Sequence, residues 1–121
     1  MALFNMASIN LASPGIAWII LIAAGALEVL WAYAMKQSDG FTRLYPSIVT
    51  VVGGLASFGL LAVAMKALPL GTAYMAWTGI GAIGAFVVGV LVLGEAVNPT
   101  RIVAAALIVS GLVMMKLSTT A

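Results

Sequence analysis

Four long apolar stretches, separated by short polar punctuation, set the pattern of the chain. The first, residues 16–35, carries a single charged side chain, Glu28, near its centre. A polar run, Lys36-Gln37-Ser38-Asp39-Gly40, follows, and Asp-Gly is a turn signal. The second stretch, residues 46–65, opens on Pro46, which suits a first helical turn because the missing N–H has no partner there. Lys66 closes it, and Leu68-Pro69-Leu70-Gly71 reads as a tight connection. The third stretch, residues 72–93, has no charge at all. Gly94-Glu95-Ala96-Val97-Asn98-Pro99 interrupts the pattern, and Asn98-Pro99 reads as an N-cap followed by the first residue of a helix. In the fourth stretch, residues 99–117, Arg101 and Lys116 flank a short charge-free centre, so both must snorkel toward the membrane interfaces. A hydrocarbon core roughly 30 Å thick needs about 20 apolar residues per helix. The pattern therefore predicts an all-α integral membrane protein. A single four-helix transmembrane domain occupies residues 16–118, with helices over about 16–35, 46–65, 72–93 and 99–117.

Composition narrows this further. Of 121 residues, 64% are hydrophobic and 7% charged, with a mean hydropathy of +1.24. A water-soluble domain carries about 25% charged residues, so the lipid bilayer is the expected surroundings. The apolar runs are helix-length and lack the roughly 10-residue alternation of an outer-membrane barrel. The absence of Cys and His removes disulfides, thiolate sites and the commonest metal ligand, so neither a metal nor another cofactor is expected. A dispersed net charge of +2 gives no basis for nucleic-acid binding. Residues 1–15 are mixed, with Asn5, Ser8, Asn10, Ser13 and Pro14 among apolar positions. They lack the basic region of a signal peptide and read as a short N-terminal tail, or as the product of a start assigned too early.

Glu28 carries the candidate chemistry. A carboxylate at the centre of a span costs about 2.5–3.5 kcal/mol on insertion scales, and every Lys and Arg falls at a predicted helix end. Helical spacing places Ala24 and Gly25 one turn before Glu28, and Trp31 and Ala32 one turn after it. Small residues allow close helix approach, and an indole can hold a flat cation by its π face. Trp31 also fits plain packing. In the second helix, Thr50, Gly53 and Ser57 share a face, and a hydroxyl there can donate to Glu28 or to its own backbone. In the third helix, Tyr74, Trp77, Thr78 and Gly81 follow at i, i+3, i+4 and i+7. Tyr74 and Trp77 can donate or stack, although Tyr74 also fits an interfacial aromatic belt. Gly79, Gly81, Gly84 and Gly89 in one helix point to close packing or a bend. Ala104 and Gly111, seven apart in the fourth helix, form a packing seam suited to dimerisation. A structural carboxylate bonded to a Ser, Tyr or Trp donor is the competing reading of Glu28.

Topology adds a second copy. With four spans, Lys66 and Lys116 lie on one side and Lys36, Arg43 and Arg101 on the other. Orientation follows Lys/Arg asymmetry in short loops; here the balance predicts dual insertion. Transporters often use inverted repeats around a midplane site. No internal repeat is visible, so an antiparallel homodimer would supply the inverted pair.

The motifs that carry a resemblance are Gly25-Ala26-Leu27-Glu28-Val29-Leu30-Trp31-Ala32, the Ala64–Tyr74 junction, Trp77-Thr78-Gly79-Ile80-Gly81-Ala82-Ile83-Gly84, and Leu93-Gly94-Glu95 before Asn98-Pro99. Over about residues 17–119 the chain resembles the small multidrug resistance family, and within it the guanidinium-exporter subtype, to which Thr78 and the Gly81–Gly84 segment are similar. The resemblance implies an antiparallel, dual-topology homodimer in a bacterial inner membrane. It implies a proton-coupled antiporter, not an enzyme, that exports guanidinium and small substituted guanidinyl cations. Glu28 would bind substrate and protons; Gly25, Trp31, Ser57, Tyr74 and Trp77 would line or support the site. Gly79 and Gly81 would form the helix 3 hinge, and the fourth helix, with Ala104 and Gly111, the dimer interface. The tail is about 15 residues longer than the family pattern. A multidrug exporter of quaternary ammonium or aromatic cations, and a non-transporting membrane subunit, are the alternatives.

Overall fold

The structure, a computed structural model, describes residues 13–118 and contains four helices in that range. They are α1 (Pro14–Gln37), α2 (Leu44–Ala64), α3 (Leu70–Leu91) and α4 (Pro99–Ser118). The four have 24, 21, 22 and 20 residues, enough to cross a bilayer at 1.5 Å per residue. Residues 1–12, most of the expected tail, and residues 119–121 lie outside the described range.

The helix ends differ from the sequence pattern for local reasons. α1 starts two residues early because Pro14 takes its first position, after Ser13 in an extended conformation. α2 likewise begins at Leu44, two residues before Pro46, which still sits within the first turn where an N–H needs no helical partner. α3 stops at Leu91, short of the apolar pattern's end. Gly94, at φ +69°, turns the chain back so that the Glu95 N–H reaches the Gly89 carbonyl at 2.9 Å. α4 opens as its residues dictate: Asn98 Oδ1 accepts from the Arg101 N–H at 2.9 Å. Between α1 and α2, three successive left-handed residues, Asp39, Gly40 and Phe41, reverse the chain. Ser38 secures that turn by donating to the Met35 carbonyl (2.6 Å) and accepting from the Phe41 N–H (3.0 Å).

α1 is central. It packs most extensively on α2 and next on α3, whereas α4 packs chiefly on α3. A core of Ala17, Leu21 and Ala24 from α1, Leu61 and Ala64 from α2, and Ala73, Ala76 and Trp77 from α3 fills one end of the bundle. Toward the other end, glycines set the spacing. A Cβ on Gly25 would fall on the Ile80 side chain, and one on Gly84 would fall on Val29. α1 and α3 therefore touch backbone to side chain in both directions, a close approach that small residues permit. α4 buries none of its residues. It is held to α3 by Leu112 over Gly79 and by the Arg101 guanidinium 5.2 Å from the centre of the Phe86 ring. Lys116 Nζ lies 5.5 Å from the Trp18 ring centre of α1.

Candidate functional site

Glu28 sits at mid-span on α1, half-buried, with its side chain against α3. A Cβ on Gly81 would overlap its carboxylate, so the glycine is what admits Glu28 to that place. Its Oε1 is buried and accepts no hydrogen bond among the described residues. One turn on, Trp31 Nε1 is likewise buried without a partner. Buried polar atoms in native folds are nearly always bonded, and two orphans a turn apart mark this stretch of α1 as chemically unusual. No ion pair joins Glu28 to a Lys or Arg among the described residues.

The candidate donors to Glu28 on α2, and Trp77 on α3, bond elsewhere, and Thr50 takes the backbone alternative that its residue type offers. Thr50 donates to its own helix at the Pro46 carbonyl, 2.7 Å away, because a threonine hydroxyl reaches the i−4 carbonyl without rotating out of the helix. Ser57, fully buried, donates to the Ala24 carbonyl at 2.7 Å and accepts from Trp77 Nε1 at 2.9 Å. Trp77 therefore spends its one donor on Ser57, not on Glu28. Ser57 instead ties three helices together. Ala24 is four residues before Glu28, so its carbonyl is also the helical acceptor for the Glu28 N–H. The relay Trp77–Ser57–Ala24 fixes the backbone on which Glu28 stands.

The rings form a second layer. Trp31 and Phe58 meet edge to face with centroids 6.4 Å apart, Phe58 and Trp77 are 5.6 Å apart, and Tyr74 and Trp77 are 5.7 Å apart. Trp31, Phe58, Trp77 and Tyr74 thus make a continuous aromatic chain across α1, α2 and α3, at spacings normal for attractive ring pairs. Phe58 was missed by the sequence reading; its only signal was its place beside Ser57, one turn after Gly54. The stripe expected on α3 splits. Trp77 and Gly81 are buried against α1 and α2, whereas Tyr74 and Thr78 are exposed. Gly53 lets Trp31 approach α2, since a Cβ there would stand 3.1 Å from the Trp31 Cβ. Gly25 and Gly79 serve helix contacts with Ile80 and Leu112. α3 runs unbroken through Gly79 and Gly81. Ala104 and Gly111 are exposed on α4, and a Cβ on Gly111 would meet nothing within 4 Å.

Chemically, the arrangement is a lone carboxylate and several π faces in a membrane-embedded setting. Among the described residues, no three His, Cys, Asp or Glu side chains converge as metal ligands would. A carboxylate and aromatic faces together attract cations.

Comparison with known proteins bears on this geometry. Residues 16–108 match the sequence profile of the family described as Small Multidrug Resistance protein. The chain is 56% identical over 102 residues to the guanidinium exporter of Escherichia coli (strain K12), a match covering 84% of this chain and 97% of that protein. It is 52% identical over 102 residues, with the same coverage, to the guanidinium exporters of Citrobacter freundii and Salmonella typhimurium. Four membrane-length apolar helices and relatives of this kind make it a multi-pass protein of the inner membrane. With the profile spanning all but its ends and more than half of the aligned residues identical to those of a curated relative, the chain belongs to the small multidrug resistance family.

Proposed function

We propose that the chain is a proton-coupled antiporter that exports guanidinium, working as an antiparallel, dual-topology homodimer. The observation that carries this is Glu28: a mid-span carboxylate with a buried, unbonded oxygen beside a chain of aromatic rings. Relatives that are guanidinium exporters favour guanidinium as the cation. A planar guanidinium offers paired N–H donors that match a carboxylate bidentately. Trp31, Tyr74 and Trp77 offer faces on which its delocalised charge stacks. Gly25 and Ser57 support the site through packing and the three-helix relay.

In the dimer each subunit contributes one Glu28 to a shared site. Protons and guanidinium compete for the same oxygens, because a carboxylate that holds a proton has lost its charge. Exchange follows if the dimer turns its opening to the other face only when the site is neutralised by one or the other. Downhill proton entry then drives the cation out. Gly79 and Gly81 would let α3 bend between the two states, and the exposed α4 face with Ala104 and Gly111 would meet the partner copy. Small substituted guanidines fit the same chemistry.

The test is guanidinium-driven proton movement in proteoliposomes, comparing the natural chain with Glu28→Gln. We expect proton flux only from the natural chain; equal flux from the Gln variant would remove Glu28 from the site. A second reading, export of bulkier quaternary cations, is favoured by an open apolar groove of about 340 Å³ beside Trp31 and Phe58. Substituting tetraalkylammonium for guanidinium in the same assay separates the two.

A further inference from the structure

A cleft outside the Glu28 site has a shape and charge that the transport reading does not use. It lies between the ends of α1 and α3, with a volume of about 130 Å³, and Tyr33, Lys36 and Glu95 supply its polar lining. It continues through Val29, Tyr33 and Val88 into an open apolar groove of about 380 Å³ flanked by Leu30 and Val92. Leu30 on α1 and Val92 just past the end of α3 are both exposed beside spans that cross the membrane, so this groove faces acyl chains. The cleft is therefore polar at one end and oily along its length.

The polar end is built from two opposite charges that do not pair with each other. Lys36 stands in the last turn of α1, and its ammonium makes no ion pair or hydrogen bond among the described residues. Glu95 follows the turn after α3, and its carboxylate folds back over Gly89, where a Cβ would stand 2.8 Å from the carboxyl carbon. The glycine is what lets Glu95 reach the cleft. Its partner Arg101 approaches no closer than 3.6 Å, well beyond the roughly 2.7–2.9 Å of a strong charged hydrogen bond.

We infer that this cleft and groove bind a phospholipid with a phosphoethanolamine headgroup, its phosphate on Lys36 and its primary ammonium on Glu95. The inference goes beyond the transport reading and does not depend on it. Both charges of the zwitterion find an opposite charge, and the Tyr33 hydroxyl is placed to donate to the phosphate. The acyl chain follows the groove past Leu30 and Val92. Lys36 makes the cleft a poor stopping place for a lone cation. Glu95 makes it a poor one for an anionic headgroup, which basic pockets between helices otherwise favour. A choline headgroup is disfavoured by chemistry: its quaternary nitrogen keeps the charge but has no N–H to donate.

The test is native mass spectrometry of the purified full chain from detergent, with equimolar phosphatidylethanolamine, phosphatidylcholine and phosphatidylglycerol of identical acyl chains. We expect phosphatidylethanolamine to be retained about tenfold or more over phosphatidylcholine, the ratio that one net charged hydrogen bond supplies. Glu95→Gln should bring those two lipids to parity, and Lys36→Gln should lower retention of all three. Equal retention by the natural chain would reduce the groove to a non-specific oily surface, and a preference for phosphatidylglycerol would make it an anionic site. No retained lipid, as a second copy seated on the groove would produce, would also overturn the inference. An unchanged preference in both variants would move the lipid elsewhere.

Discussion

The Glu28 carboxylate of α1 fills the place where a side-chain carbon on Gly81 of α3 would stand. The two residues cannot both keep their positions if Gly81 acquires a methyl group. Gly81→Ala should therefore push Glu28 into another rotamer and lower guanidinium-driven proton flux by about tenfold or more, since a misplaced binding group costs that much. Gly59→Ala is the control, because a Cβ there meets nothing within 4 Å. Equal flux from both variants would show that the Gly81 notch does not position Glu28.

The Trp77–Ser57–Ala24 relay makes a second prediction. Ser57→Ala leaves Trp77 Nε1 a buried donor with no acceptor, at a cost of about 1–3 kcal/mol. Trp77→Phe removes that donor and relieves the cost. The double variant should be less destabilised than the sum of the singles by about 1 kcal/mol or more, measured as thermal unfolding in detergent. Strict additivity would mean the bond contributes nothing to holding the three helices.

The sequence made the four helices legible because each is a long apolar run with at most one charge away from its ends, bounded by Lys, Arg, Gly or Pro, and the bilayer fixes run length. Glu28 was equally plain, since a lone mid-span carboxylate has no neighbours to hide among. What did not follow was partner choice. Ser57, Thr50 and Trp77 were all credible donors to Glu28 by spacing, yet Thr50 turned to its own helix and Trp77 to Ser57. Helical period names the residues on a face but not which of them meets which across an interface. Tyr74 and Thr78 fell outside the buried face because Trp77 and Gly81, one turn apart, already fill the approach to α1 and α2. Phe58 was invisible for the same reason, being one apolar residue among many until the rings on either side were placed.

The α1–α3 contact predicts a compensating pair. A larger side chain on Gly25 meets Ile80, so Gly25→Val should overpack the seam and destabilise the protein by about 1–3 kcal/mol. Ile80→Ala opens the space that Val needs. The double variant should recover most of the lost unfolding temperature, and failure to recover would show that Gly25 is required for a reason other than Ile80.

The proposed competition for the Glu28 oxygens predicts a pH dependence with a definite sign. A bound proton excludes the cation, so guanidinium affinity should fall as pH falls. Where one proton is displaced per cation, the apparent Kd rises by up to about tenfold per pH unit. Quenching of tryptophan fluorescence by titrated guanidinium reads this directly, because the proposed site sets the cation beside Trp31 and Trp77. Glu28→Gln should neither bind nor respond to pH. Affinity independent of pH in the natural chain would separate the cation from the proton site.

The charge balance across the loops predicts how orientation and activity are linked. Lys66 and Lys116 face one side, and Lys36, Arg43 and Arg101 the other, a count of two against three. A C-terminal reporter that matures on only one side of the membrane should therefore give signal in both its cytoplasmic and its external form. Ala96→Lys with Val97→Lys, both at exposed positions, shifts the count to two against five and should leave the C-terminus outside. Leu70→Lys and Leu117→Lys with Arg43→Ala, again exposed, makes it four against two and should place the C-terminus inside. Each biased variant alone supplies copies of one orientation and should fail to confer guanidinium resistance on cells. Expressed together they supply both, and resistance should return. Full resistance from either variant alone, with its orientation verified, would mean that the transporting unit needs no inverted partner.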